Sequence, residues 1–137
     1  MVWQDFKQNV LHFVVLKHVR DADTHWDLML QMPDKELLAT WRIRVAPSLW
    51  IGHFGPIPAW QLPDHRMEYL HYEGEISGGR GRVSQVDGGV LELIAYNDQE
   101  INFILRGRML HGRFALTAES PGAHHPSDQW QLTARAT

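Results

Sequence analysis

Apolar and polar residues alternate along most of this chain in short runs bounded by Gly, Pro, Asn and Asp, the signature of half-buried strands. The runs are LHFVVLKH from Leu11, HWDLMLQ from His25, ELLATWRIRV from Glu36, MEYLHYEG from Met67, GRVSQVD from Gly81, VLELIAYN from Val90, INFILRG from Ile101, RFALTA from Arg113 and WQLTA from Trp130. PDK, DGG and NDQE between runs predict hairpin turns. The stretch APSLWIGHFGPIPAWQLPDH, rich in Pro and Gly, reads as a long loop, and residues 3–10 as at most one helical turn. The pattern predicts a mostly β fold. It is a small closed or partly closed antiparallel β-barrel of about eight strands with little helix, a sandwich being the other way to close so many short strands. No repeat, linker or low-complexity tract divides the chain, so residues 1–137 are read as one domain.

The second and third runs can be registered against each other. Successive side chains on a strand point to opposite faces. Trp26, Leu28 and Leu30 therefore share one face, and His25, Asp27 and Met29 the other. On the partner, Ala39, Trp41 and Ile43 oppose Thr40, Arg42 and Arg44. A two-residue turn at Asp34-Lys35 pairs Pro33 with Glu36 and matches both apolar faces. It sets Asp27 opposite Arg42 and His25 opposite Arg44, with about 5 Å between paired Cβ atoms.

Composition narrows the chemistry. Hydrophobic residues make up 44% of the 137 and charged residues 21%, with a net charge of −3, so nothing global points to nucleic acid and only a local basic patch would. Cysteine is absent, which excludes disulfides, thiolate metal sites and thiol catalysis. Any metal must be held by histidine, carboxylate or water. The N-terminal apolar run FVVL is too short to span a membrane, and no secretory signal pattern precedes it; a cytoplasmic location is expected. His25-x-Asp27 places an imidazole and a carboxylate on one strand face, ligands suited to Mn²⁺ or Zn²⁺. By itself such a pair also fits a solvated polar face.

The order of motifs is more specific. FVVLKH, HWDLML, TWR, DHRMEY, EGEISGGRG, LRGRMLHGRFAL and a terminal WQL follow one another from Phe13 to Leu132. This series resembles the 3'-phosphoesterase module of the bacterial DNA ligase D family, with its pattern FVVQKH, HYDLRL, SWAVPKGPS, DHPLEY, EGxIPxGxYG, LxGxxLxGxFxL and a closing tryptophan. The resemblance implies a small barrel with a crescent-shaped groove and a Mn²⁺-dependent hydrolase of DNA repair. Such a module trims the 3' ends of DNA or DNA/RNA by removing a terminal ribonucleoside and then the 3'-phosphate. Carried over position by position, it implies His18, Asp27 and His65 as metal ligands. It implies His25 as a catalytic histidine beside the metal and Tyr69 as a hydrogen-bond donor to phosphate. It further implies a short, free-standing member with end-joining proteins as partners.

The chain departs from the family pattern in three places. Met29 stands where the family has an arginine that binds phosphate. One extra residue separates His18 from His25. No arginine precedes the first strand. Arg42, opposite Asp27 in the register above, is expected to supply the missing cation. Lesser candidates are the glycine-rich EISGGRG, a barrel corner or a phosphate cradle, and the Arg-x-Arg pairs at 42/44, 80/82 and 106/108. His124 and His125, in a Pro/Gly-rich stretch, read as solvated, and His12, His53, His71 and His111 as structural or exposed. Trp50 and Trp60 are the tryptophans placed to stack on bases. Three functions stay open: the 3'-end phosphoesterase, a non-catalytic module binding nucleic-acid ends or protein, and a phosphoesterase for a smaller substrate. The oligomeric state stays open as well.

Overall fold

Strands with one apolar face must cover it, and here the sheet does so by curling until its first strand meets the sixth. The computed structural model describes residues 10–33, 35–52, 55–119 and 128–135. Its strands are β1 (Leu11–Arg20), β2 (Asp23–Gln31), β3 (Leu37–Ile43), β4 (Ile57–Arg66), β5 (Gly74–Glu75), β6 (Arg82–Tyr96), β7 (Glu100–Gly107), β8 (His111–Ala118) and β9 (Gln129–Arg135). They run antiparallel in the order β1-β2-β3-β4-β9-β8-β7-β6, and β6 pairs again with β1 to close eight strands; β5 is a short addition on β6. Among the described residues the only helical turns are 3-10 turns at Pro47–Leu49 and Met67–Leu70.

The inward residues are those that the alternation assigns. Phe13 and Val15 of β1, Leu28 and Leu30 of β2, Trp41 and Ile43 of β3, and Phe103, Phe114 and Leu132 from the far wall are buried in one cluster. Trp41 and Trp130 meet edge to face at 5.4 Å between ring centroids. The β2–β3 ladder pairs Asp27 with Arg42, as expected, and begins at Trp26–Ile43, so His25 and Arg44 lie beyond it. Arg44 pairs instead with Asp23. The turn at Asp34 and most of the N-terminal segment, including residues 3–9, lie outside the described residues.

The outward face of β1, β2 and β3 is not solvated. Val14, Leu16, Met29, Leu38 and Val83 form a second buried cluster there, roofed by Met67, Tyr69, Leu70, Tyr72 and Ile76. The segment MEYLHYEG, expected as a strand, supplies this roof as the 3-10 turn Met67–Leu70 followed by β5, because its apolar side chains cover a neighbouring face.

Two further expectations are corrected. The stretch read as a long loop contains β4. Its prolines argue against a strand, yet Pro58 stands near the strand's start and Pro63 falls where the β3–β4 register shifts and no regular ladder bond is needed. DGG is not a hairpin turn: β6 runs through it, from Arg82 to Tyr96. Gly89 lets the backbones of β6 and β7 approach closely there, since a Cβ would lie 2.2 Å from the Arg106 carbonyl oxygen. The NDQE turn is as expected, with Asn97 Oδ1 accepting from the Gln99 and Glu100 N–H groups.

Asp87 sits beside the register shift in β6 and is fully buried on the inward side, opposite Val15. Its carboxylate accepts the backbone N–H groups of Gly88, Arg108, Met109 and Leu110 at 2.7–3.3 Å. It thereby fixes the β7–β8 turn. Asp87→Ala leaves those donors without their acceptor and is expected to lower unfolding stability by about 3 kcal/mol or more. Urea unfolding measures it; a loss below about 1 kcal/mol would mean the turn is held by other contacts.

Candidate metal centre

The β1–β2 ladder sets His18 directly opposite His25, and Leu16 opposite Asp27. Both histidines and Asp27 therefore stand on the outward face, next to the second cluster. His18 Nδ1 lies 3.0 Å from His25 Nε2 and 4.0 Å from Asp27 Oδ2, and His25 Nε2 lies 3.4 Å from Asp27 Oδ1. Among the described residues, His18, His25 and Asp27 are the group of potential ligands that converges, one donor atom from each within 4.8 Å of the others. His25 and Asp27 are buried, and His18 closes over them from the groove side.

The far nitrogens of the two rings face acceptors. His18 Nε2 is 2.7 Å from the Arg80 carbonyl, which only accepts, so Nε2 carries the proton and Nδ1 presents its lone pair inward. His25 Nδ1 faces the Asp23 carboxylate at 3.6 Å. Asp23 is hydrogen-bonded by Arg44 at 2.7 Å, and that guanidinium holds its carboxyl below the usual carboxylate range. Orientation of an imidazole from behind by a carbonyl, as at His18, is an arrangement metal-binding histidines use, whereas His25 Nδ1 is buried with no hydrogen-bond partner. Asp27 Oδ1 is buried with no hydrogen-bond partner. Two imidazoles and an unsatisfied carboxylate oxygen fit a divalent ion such as Mn²⁺ or Zn²⁺.

The EISGGRG turn, between β5 and β6, makes the Arg80 contact possible. Gly81 has φ +98°, and a Cβ there would lie 2.3 Å from the Val19 carbonyl oxygen and 3.0 Å from His18 Nε2. Glycine is needed for the loop to come this close. The turn is thus a wall of the site.

Beside the cluster lies a groove of about 690 Å³, lined by His18, His65, Tyr69 and the arginines Arg20, Arg42, Arg66 and Arg80, with Asp64 the single carboxylate on its lining. His65 reaches it through the irregularity in β4. Leu62 pairs with Thr40, but His65 pairs with Leu38, so one extra residue turns His65 outward. Its Nδ1 donates to the Pro63 carbonyl at 2.9 Å, which leaves Nε2 free. The structure does not bring His65 into the His18/His25/Asp27 group. Tyr69 packs edge to face on His65 with centroids 5.6 Å apart.

Arg42 lines the groove, its buried Nε has no hydrogen-bond partner, and among the described residues no ion pair engages it. Met29 is 1% exposed, packed in the second cluster, and is absent from the groove lining. Of the Arg-x-Arg pairs, Arg42 and Arg80 face this groove, whereas Arg82 pairs with Glu75 and Arg106 with Glu92. The period-two rule could have found Asp23 beside His25 and Arg20 beside His18, each two residues away on the same strand. Arg66 carried no such signal. Trp50 is buried and donates to the Val45 carbonyl, while Trp60 is exposed. His12, His71 and His111 are exposed; His53, His124 and His125 lie outside the described residues.

Among the described residues no helix is long and apolar enough to cross a membrane. No curated protein is significantly similar to the chain. The family profile of the DNA ligase D 3'-phosphoesterase domain matches residues 16–118, which hold the whole His18/His25/Asp27 cluster and the arginine-lined groove. With most of the barrel inside that match, the chain belongs to the DNA ligase D 3'-phosphoesterase domain family.

Proposed function

We propose that the chain is a Mn²⁺-dependent phosphoesterase acting on 3' ends of DNA or DNA/RNA, removing a terminal 3'-phosphate or ribonucleoside. The observation that carries this reading is the groove. In a chain of net charge −3, four arginines converge beside a buried, unsatisfied carboxylate and two imidazoles. Such a surface suits a polyanion whose terminal phosphate reaches a divalent ion.

His18 through Nδ1, His25 through Nε2 and Asp27 would hold the ion; Mn²⁺ is the family's metal and Zn²⁺ suits the same donors. A bound ion supplies Lewis-acid neutralisation of phosphate charge. His25 is 2% exposed and lies beneath His18, a position for a ligand rather than for a group that meets substrate. His65 takes the substrate-facing role. As water adds to phosphorus and gives up a proton to solvent, the P–O bond to the departing oxygen breaks and His65 Nε2 is placed to hand that oxygen a proton: the 3' oxygen when phosphate is removed, the 5' oxygen of the released nucleoside when a ribonucleoside is removed. Arg42, Arg20 and Arg80 neutralise the phosphoryl oxygens, Arg66 being paired with Glu68 at 3.0 Å, and Tyr69 offers a hydroxyl donor from the roof. Proteins that join DNA ends are the partners such an activity would serve.

A primer–template duplex ending in a 3'-phosphate tests this reading. With Mn²⁺ the expected products are inorganic phosphate and a 3'-hydroxyl end, and chelation should stop the release. Binding of the duplex without release would favour the non-catalytic module. Turnover of p-nitrophenyl phosphate but not of the duplex would favour the smaller substrate.

A further inference from the structure

Trp60 has no role in the site just described, yet its position is tied to it. Cross-strand pairing runs in one row over the outward face: Asp27 pairs with Arg42, and Arg42 with Trp60. Two strand spacings separate Trp60 from Asp27, about 10 Å along the sheet. The neighbours Ile57 and Ala59 point into the barrel and are buried, while Trp60 is 37% exposed. A second groove, of about 370 Å³, adjoins the first and shares Arg42 with it; Trp60, Arg44, Gln61, Leu62 and Asp128 complete its lining. A large aromatic face is thus open to solvent beside two arginines, in a path that continues from the metal centre through Arg42.

We infer that Trp60 is a stacking platform for an unpaired base of the strand leading to the reacting 3' end, with Arg42 between the grooves on the connecting phosphate. This rests on the phosphoesterase reading for which end of the strand lies at the metal, but the stacking itself does not need turnover. An aromatic ring accepts any base, because every base has a π face, while cationic side chains follow the backbone. The subsite therefore adds affinity wherever the terminal bases are unpaired or fray from a duplex, and is indifferent to sequence. It lies beyond the reach of a substrate with only one nucleotide.

Fluorescence anisotropy with the full chain tests it, the probe being a short 5'-labelled single-stranded oligonucleotide with a 3'-phosphate. Trp60→Ala is expected to weaken binding about 10-fold, and Trp60→Phe to retain most of it. Competition by a nucleoside 3'-monophosphate, which fills the first groove alone, should be the same for wild type and Trp60→Ala. Equal oligonucleotide binding by the two proteins overturns the inference. So does failure of the wild type to bind the oligonucleotide, or an equal loss of mononucleotide binding. If the oligonucleotide binds as expected but no phosphate is released with Mn²⁺ from it or from the primer–template duplex, the phosphoesterase reading fails and the stacking subsite stands.

Discussion

Arg42→Ala is expected to reduce release of a 3'-phosphate by about 10²–10³-fold, the usual cost of removing a donor aimed at developing charge. The affinity for Mn²⁺ should stay within a few-fold, because Arg42 is not among the converging potential ligands. The size of the effect follows from three observations. The guanidinium lines the groove, its Nε is buried without a partner, and among the described residues no carboxylate pairs with it. A cation held in this way has its charge uncommitted until an anion arrives. Arg42→Lys should recover only part of the loss, since an ammonium lacks the planar fork that grips two phosphate oxygens. Met29→Arg should not rescue Arg42→Ala. Met29 lies in the second core among Val14, Leu16 and Leu38, and a guanidinium there would be buried or would lift the roof over the site. Stopped assays with a 3'-phosphate duplex measure all three variants. Turnover by Arg42→Ala within a few-fold of wild type would remove Arg42 from the chemistry.

How much of this was legible in the sequence depends on which face a residue occupies. Inward positions announce themselves by alternation, and Phe13, Val15, Leu28, Leu30, Trp41 and Ile43 are all where period two puts them. The same rule aligned β2 with β3 and brought Asp27 to Arg42. It misjudged the other face. Two strands whose outward residues read His, Asp and Met, then Thr and Arg, look half solvated, yet His25, Asp27, Met29 and Thr40 are all buried, and a separate segment folds over the cluster that holds Met29. Nothing local in β2 encodes that roof. It is written in Met67, Tyr69, Leu70 and Tyr72, which lie far along the chain and read as a strand of their own, and in Ile76 of the glycine-rich turn.

Irregularities in the ladders account for the other differences. The motif order pointed to His65 as a ligand beside His18 and Asp27, but the extra residue near Pro63 fixes where β4 delivers that ring, and proline in a run argues against any strand there. His25 looked like a group for proton transfer; direct pairing with His18 and burial beneath it are visible only once β1 and β2 are in register. The DGG tripeptide carries a strong turn signal, and tertiary closure overrides it. Its aspartate caps the β7–β8 turn and Gly89 admits the backbone of β7.

Asp27→Asn is expected to separate metal binding from folding more cleanly than any other substitution in the site. In the wild type, Mn²⁺ at 100 times its dissociation constant should stabilise the native state by about 2.7 kcal/mol. For a domain of this size that raises the melting temperature by roughly 8 °C. Asparagine keeps the shape of the side chain but removes the anion that the two imidazoles cannot replace, so the variant should lose at least about 10²-fold in Mn²⁺ affinity and show almost no shift. Without metal the direction reverses. Asp27 is 4% exposed, its Oδ1 has no hydrogen-bond partner, and no arginine or lysine among the described residues pairs with it. A buried carboxylate in that state opposes folding, and a neutral amide of the same shape relieves the cost. Metal-free Asp27→Asn should therefore melt no lower than metal-free wild type. Scanning calorimetry of the two proteins, each with and without Mn²⁺, gives the comparison. A metal-induced shift of the same size in both would place the ion elsewhere. A lower melting temperature for the metal-free variant would show that Asp27 is satisfied in the native state by a partner other than an ion.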